Sequence, residues 1–360
     1  MPSESDLMER PLISVVLAVY NERKHIQECM DSLRGQETQD FDMEILAVDG
    51  VSTDGTREYL EQISLVDPRV RVLANEKRRV PFAFNIGIRE AKGSYICIFG
   101  SHAVYARDYV SVCLKELQSK SAAGCGGRVF IQASSAKLQA RLAAYAFAHP
   151  FGSSRRSFRT QPEGYADTIG YTIFRRDVLV QVGGYSETLL RNQDNDTNQK
   201  IRALGYKLYC TWKTHCFYKP RETMRELFVY AYHNGFWNVI SLRENRASMG
   251  ARHFIPFFFV LSLLSAFLVA MVGPLLGTLP DRLFAVPFLG LLFLHLAMAT
   301  AAALGVTLSR KDTGALLLPL VFLGFHVAYG SGTLIGFVTG GRAGISSRQE
   351  RVPAAISPSQ

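Results

Sequence analysis

The sequence predicts an α/β domain with an open, largely parallel sheet, followed by a membrane region of three helices. Two observations carry that prediction. Up to Cys210, strand-like and helix-like periods alternate along the chain. After Phe254 the charges nearly vanish: as far as Gly341, only Asp281, Arg282, Arg310, Lys311 and Asp312 are charged. A third observation sets the bounds. Of 360 residues, 48% are hydrophobic and 20% charged, which excludes disorder as the main state.

The soluble elements follow in order. Leu12 to Val19 is a continuous apolar run, as a parallel strand covered on both faces requires. Glu22 to Leu33 reads as a helix, Glu44 to Val48 as a strand and Asp54 to Ile63 as a helix. Arg69 to Leu73, Val80 to Ala91 and Ser94 to Phe99 continue as strand, helix and strand. Such βαβα alternation wraps a sheet in helices and places ligands at the carboxyl ends of the strands. Gly124 to Cys210 mixes strands and helices less regularly, and Pro150 to Gly164, rich in Gly, Ser and Arg, reads as a mobile loop.

The apolar third divides into Phe254–Pro280, Leu283–Ser309 and Thr313–Gly341. Each exceeds the ~20 residues that a helix needs to cross the hydrocarbon core. His295 and His326 fall in mid-span and read as neutral histidines bonded between helices. Residues 219–252 are amphipathic in pieces. Met224, Leu227, Phe228 and Ala231 form one stripe, and Phe236, Val239 and Ile240 form a second after Gly235. They suggest two interfacial helices. The division is therefore a tail at 1–11, a soluble domain at 12–218, interfacial helices at 219–252, three membrane helices at 253–341 and a tail at 342–360.

Net charge is +9. No Lys/Arg block with interleaved aromatics is present, so nucleic acid is not the expected partner. From Lys219 to Arg252 there are six basic and three acidic residues, and their juxtamembrane position favours anionic lipid headgroups. The six cysteines include no Cys-x-x-Cys pair and read as reduced core residues. Residues 1–10 do not open a signal peptide, so the soluble domain is expected in the cytosol. Three crossings would then place the loop bearing Arg310 and Lys311 inside, as the positive-inside tendency prefers. They would also place Arg342, Arg348 and Arg351 outside, against that tendency; either the third segment re-enters rather than crosses, or the tail is an exception.

Chemistry collects at the strand ends. The first strand runs into Tyr20-Asn21-Glu22, and the second into Asp49-Gly50-Val51-Ser52-Thr53-Asp54-Gly55-Thr56. Turn chemistry accounts for Gly50 and Ser52, and a helix cap for Asp54. An acid at the end of each of two neighbouring strands suits a base and ribose pocket. A carboxylate accepts from an imide N–H and from ribose hydroxyls.

Ile13–Glu22 with Asp49–Thr56 resembles the nucleotide half of the family 2 glycosyltransferases, which have the GT-A fold. Val80–Gly93, Ser94–Val110, and Arg175-Arg176 with Gly183-Gly184-Tyr185-Ser186-Glu187 continue the resemblance. His102-Ala103-Val104-Tyr105, Asp108-Tyr109-Val110 and Arg191-Asn192-Gln193-Asp194 are similar to its succinoglycan-type branch. The resemblance covers about Leu12 to Phe259. It implies that Ala18, Tyr20 and Glu22 line the uracil and ribose, that Asp49 accepts from the uracil imide, and that Asn85 lies beside the diphosphate. The family's Asp-x-Asp metal motif falls on Gly100-Ser101-His102. Ser101 stays in the donor site, and His102 is either a ligand for Mn²⁺ or Mg²⁺ or an ordinary loop histidine. His215 is a second candidate contact for metal or phosphate. Lys77, Arg78 and Arg79 are candidates to neutralise the diphosphate.

By motif position Asp194 is the catalytic base. An acid in the first helical turn is also favoured by the helix dipole. Asp196 is its rival and lies about 200° further round the helix. The resemblance implies an inverting hexosyl transfer, most simply of glucose, from a UDP-sugar to a lipid-linked saccharide at the inner face of the plasma membrane, in exopolysaccharide synthesis. Transfer directly to polyprenyl phosphate, and a degenerate non-catalytic sugar-nucleotide binder, are the alternatives. His233-Asn234-Gly235-Phe236-Trp237 keeps only the Trp of the processive synthases' Gln-x-x-Arg-Trp motif, which disfavours a chain-extruding synthase.

Overall fold

The structure, a computed structural model, describes residues 10–220, 222–276 and 280–340. It contains two compact units. One is the chain to Phe130 together with Arg156–Tyr218; the other is Ile131–Arg155 together with the chain from Lys219 onward.

The first unit alternates as expected: β1 Leu12–Val19, α1 Ile26–Arg34, β2 Asp42–Asp49, α2 Thr56–Val66, β3 Val70–Ala74, α3 Val80–Glu90 and β4 Tyr95–Gly100. These four strands pair in parallel in the order β3-β2-β1-β4. β1 is almost wholly buried because helices cover both faces of the sheet. The apolar core runs through Val16, Leu46, Val48, Phe84, Ile96, Ile98 and Phe174. The chain then continues through β5 Ala103–Tyr105, α4 Tyr109–Ser119 and β6 Gly124–Ile131. The second unit takes α5 Leu138–Ala148 and α6 Pro150–Ser153, and the chain returns for β7 Gly164–Tyr165, β8 Thr172–Arg175, α7 Arg176–Gln181, α8 Gln193–Ala203 and β9 Leu208–Tyr218. β8 pairs antiparallel to β4 and extends the sheet through β6, β9 and β5.

This order fixes where a ligand can sit. β2 and β3 extend the sheet on one side of β1, whereas the chain leaving β3 crosses back to lay β4 on the other side. The reversal makes the gap beyond the carboxyl ends of β1 and β4 the topological switch point. There Ala18 is paired with Gly100.

The second unit corrects three readings. Residues 131–155 do not belong with the soluble domain. Pro150–Ser153 is helical rather than part of a loop. Residues 221–250 contain one long helix, α9 Met224–Glu244, not two. A capping box opens it: Thr223 accepts from the Glu226 N–H while Glu226 reaches back to the Thr223 N–H. Gly235, read as a break, is instead a packing position. A Cβ there would lie 1.9 Å from the Tyr329 carbonyl oxygen of α12 Leu318–Val338. Gly332 of α12 meets Tyr232 in the same way, at 2.0 Å. The two backbones approach through these gaps, as in close-packed membrane helices.

α10 Ile255–Val272 and α11 Asp281–Arg310 complete this unit. The segments 251–275, 282–310 and 313–338 are each long and apolar enough to cross a membrane. The insert packs on them. Leu142, Ala143, Ala146 and Phe147 of α5 share a core with Ala299 and Ala303 of α11 and with Leu318 and Phe322 of α12. At its edge Arg141 pairs with Asp312 at 2.9 Å, and the Tyr145 hydroxyl donates to the same carboxylate at 2.8 Å. Phe151 of α6 lies against both His295 and His326, and its carbonyl accepts from His326 Nε2 at 3.0 Å.

Candidate active site

The residues that leave β1 emerge at the switch point. Ala18, Tyr20 and Glu22 are half-buried, whereas Leu17 and Val19 are enclosed. Their loop is laced to the loop after β2. The Asn21 N–H donates to Ser52 Oγ at 2.9 Å and the Thr53 N–H to Asn21 Oδ1 at 2.8 Å. The Glu22 N–H donates to Thr56 Oγ1 at 2.8 Å, and the Arg23 N–H to Asp54 at 3.1 Å. This lacing delays α1 to Ile26. It also explains the polar run Ser52–Thr56 beyond simple turn chemistry, because those side chains hold Glu22 in place. Asp54 acts one position early as a cap, accepting from the Thr56 N–H at 3.1 Å. Hydrogen bonds from Thr56 and Arg23, set against burial, hold its carboxyl below the usual range.

Across the gap, β4 ends at Gly100 and presents buried Ser101 and half-buried His102. His102 Nε2 stands 2.7 Å from Glu22 Oε1. The imidazole and carboxylate that follow β1 and β4 therefore meet over the switch point. Gly100 has its own steric reason: a Cβ there would stand 3.2 Å from the Tyr171 ring. The space of the family's first metal-motif acid is thus bordered by an aromatic side chain.

Asp49, at the end of β2, has no exposed side-chain surface: its carboxylate accepts from the Ser52 N–H at 3.0 Å and the Ser52 hydroxyl at 2.5 Å, with Arg57 at 3.9 Å. These contacts make it part of the pocket wall. The Asn85 amide, in α3, accepts from the Tyr185 N–H at 2.9 Å and donates to the Tyr185 carbonyl at 2.8 Å and to Glu187 at 3.0 Å. It clamps the turn before α8. His215 packs its ring against those of Phe130 and Phe217. Lys77 and Arg78 are exposed on the rim beyond edge strand β3.

Asp194 lies in the first turn of α8 and lines a small cavity with Ile98, Gly170, Tyr171, Thr172, Tyr185 and Asn198. Burial pushes its carboxyl up to about 6, and nearby Arg159 offsets part of that rise. α8 is held against the loop between β7 and β8: Asn198 donates to Thr168 Oγ1 at 3.0 Å and to the Ile169 carbonyl at 3.1 Å. Asp196 faces elsewhere, 1% exposed and paired with Lys200 at 2.8 Å, as the helical angle requires. Arg159 is a residue the sequence did not single out. It lies over the rings of Phe158 and Tyr218, and Phe158 touches Tyr171.

Among the described residues no three His, Cys, Asp or Glu side chains form a metal-binding group. Glu22 and His102 supply two donors, one oxygen and one nitrogen, a set that fits Mn²⁺ better than the oxygen-seeking Mg²⁺. Divalent ions at phosphate-transfer sites commonly complete their shell with substrate phosphates and water.

Comparison with known proteins bears on the family and the fold. The family described as glycosyl transferase family 2 matches residues 14–183. The chain is 28% identical over 246 residues to succinoglycan biosynthesis protein ExoA of Rhizobium meliloti (strain 1021), covering 67% of this chain and 73% of that protein. It is 23% identical over 337 residues to the dolichyl N-acetyl-alpha-D-glucosaminyl phosphate 3-beta-D-2,3-diacetamido-2,3-dideoxy-beta-D-glucuronosyltransferase of Methanococcus voltae, covering 91% of this chain and 98% of that one. The fold resembles that of the mannosyltransferase PcManGT from Pyrobaculum calidifontis in complex with GDP-Man and Mn2+. The TM-score is 0.56 at 18% identity, over 91% of this chain and 88% of that one. Motif order, sheet topology and family match converge: the chain is a glycosyltransferase, with a glycosyl transferase family 2 domain resembling that of ExoA.

Proposed function

We propose that this enzyme moves a hexose, most simply glucose, from a UDP-sugar to a lipid-linked saccharide at the cytosolic face of the inner membrane, with inversion, in exopolysaccharide or related glycan synthesis. The state of Asp194 carries this reading. A carboxyl with a pKa near 6 is ionised at neutral pH yet basic enough to take a proton from an attacking hydroxyl. Its position in the first helical turn favours the ionised form. An acceptor phosphate would need no base, so the acceptor is taken to be a sugar hydroxyl. The relative from Methanococcus voltae, by its name, acts on a lipid-linked sugar of this kind.

The residues at the switch point divide the remaining work. Tyr20 and Glu22 flank the nucleoside, and the wall built on Asp49 shapes its pocket. Glu22 and His102 would hold the divalent ion, which supplies positive charge to the leaving diphosphate. Asp194 accepts the acceptor's proton while the hydroxyl attacks the anomeric carbon from the face opposite the diphosphate.

The test uses membranes containing the full chain, supplied with radiolabelled UDP-hexoses and a lipid extract. Label should enter a lipid-extractable saccharide, and Asp194→Asn should abolish the transfer. Transfer from a GDP-sugar alone would overturn the donor. Full activity of Asp194→Asn, with product on polyprenyl phosphate, would overturn the acceptor.

A further inference from the structure

The course of α12 does not fit a third crossing. In a bundle threaded back and forth, α10 and α12 run in the same direction, and the end of α12 lies beside the end of α10, near Val272. Here Phe337, next to last in α12, lies against Phe254 and Phe257 at the start of α10, with ring centroids 6.3 and 5.3 Å apart. Gly330 abuts Pro256 and Val260. The Arg243 guanidinium, at the end of α9, donates to the Gly340 carbonyl. The last turn of α12 therefore lies at the foot of α10, where the chain enters α10 from α9.

α11 shows the same division along its length. Its 30 residues extend ~45 Å, well beyond the ~30 Å hydrocarbon core. Its first half pairs with α10: Phe284 meets Gly273, Phe288 meets Phe267 and His295 stacks on Phe259 at 4.6 Å. The 18 residues of α10 extend ~27 Å, about one bilayer core. The second half of α11 packs with α5 and the start of α12. α5 and α6 are tethered at both ends to the catalytic unit. Of the three apolar segments, the third is the most enclosed by protein, 33% buried against 11% for each of the others.

We propose that only α10 and α11 cross the bilayer. α12, α9 and the α5–α6 insert form a platform seated in the lipid headgroup layer on the catalytic side, and α12 returns the chain to that side. Exposed Leu316, Leu317, Leu320, Ile335 and Val338 face lipid. The arrangement also removes the charge conflict of the three-crossing reading. Arg243, Arg246, Arg252, Arg310 and Lys311 gather on one side, together with the sequence positions Arg342, Arg348 and Arg351. Arg282 alone falls at the far turn. This inference goes beyond the proposed reaction and depends on neither donor nor acceptor.

Single cysteines in the full-length protein test it, with a membrane-impermeant maleimide applied to sealed vesicles of each orientation. The six native cysteines are buried, which keeps the background low. Lys115→Cys marks the catalytic side, Ser309→Cys the exposed last turn of α11 before the link to α12, Leu275→Cys the far turn and Ser357→Cys the tail. Lys115→Cys, Ser309→Cys and Ser357→Cys should label from one side and Leu275→Cys from the other. Labelling of Ser357→Cys together with Leu275→Cys would establish a third crossing and overturn the proposal. Labelling of all four from one side would overturn membrane crossing itself and leave the proposed chemistry standing.

Discussion

Asp49 and Asp194 are carboxylates in opposite halves of one domain, the first fully enclosed and the second half-buried, and their surroundings give them different work. Asp49 closes the parallel half and is bonded to the Ser52 N–H and hydroxyl and approached by Arg57. Asp194 stands beside the antiparallel half among Ile98, Tyr171 and Tyr185, and burial raises its pKa. A carboxylate with its lone pairs occupied holds shape. One left in an apolar cavity stores basicity at a cost in stability. Burial and bonding both distinguish the two: Asp49 is fully enclosed and hydrogen-bonded, whereas Asp194 is half-buried and faces the cavity.

The largest effect should come from Asp194→Asn. Turnover should fall by ~10²–10⁴-fold while donor affinity survives, because the base meets only the acceptor. The same variant should be more stable than the parent at pH 8. The folded pKa of Asp194 lies above the usual 3.8, so its ionised form penalises the folded state. That penalty grows as pH rises from about 4 to about 6 and is complete above it. Thermal melts should therefore separate the two proteins at pH 8 and bring them together near pH 4. A melting difference independent of pH would mean that Asp194 is not held in its raised state.

His102→Ala should come next. It removes one of two donors at the switch point, so Mn²⁺-dependent donor affinity should fall by more than ~10-fold. Titration of UDP with and without Mn²⁺ measures this, and an undiminished response to the ion would remove His102 from the metal site. Asp49→Ala should cost stability and UDP affinity together, since the unpaired Ser52 donors cost ~1–3 kcal/mol and the wall loosens. Loss of UDP affinity at an unchanged melting temperature would show that Asp49 reads the base directly. Asp196→Asn should have the smallest effect on turnover, because that carboxylate faces Lys200 and not the cavity.

Much of the parallel half was legible because its signals are local. The apolar run of β1, the acids at the ends of β1 and β2 and the succession of the first four strands along the chain follow from period and turn chemistry. Asp194 was found by the motif before its helix. The rest depends on contacts far apart in sequence. Glu22 and His102 meet only because β4 lies beside β1, which no local period reveals. Asn85 looked free in the sequence, yet its amide is engaged by a turn 100 residues on. Residues 138–148 read as an ordinary element of the soluble domain, although an alanine-rich face with one charge, Arg141, suits packing on membrane helices. Gly235 looked like a break because glycine disfavours helix, whereas its function is to admit the Tyr329 carbonyl.

The central claim is that Asp194, the half-buried acid lining the cavity in the first turn of α8, is the base. The most direct test is the pH dependence of kcat at saturating donor and acceptor, for the parent and Asp194→Asn. The parent should lose activity as pH falls through about 6, where Asp194 takes up its proton. The variant should be slow at every pH and lack that limb. A variant that kept both the parent's rate and its acid limb would contradict the account.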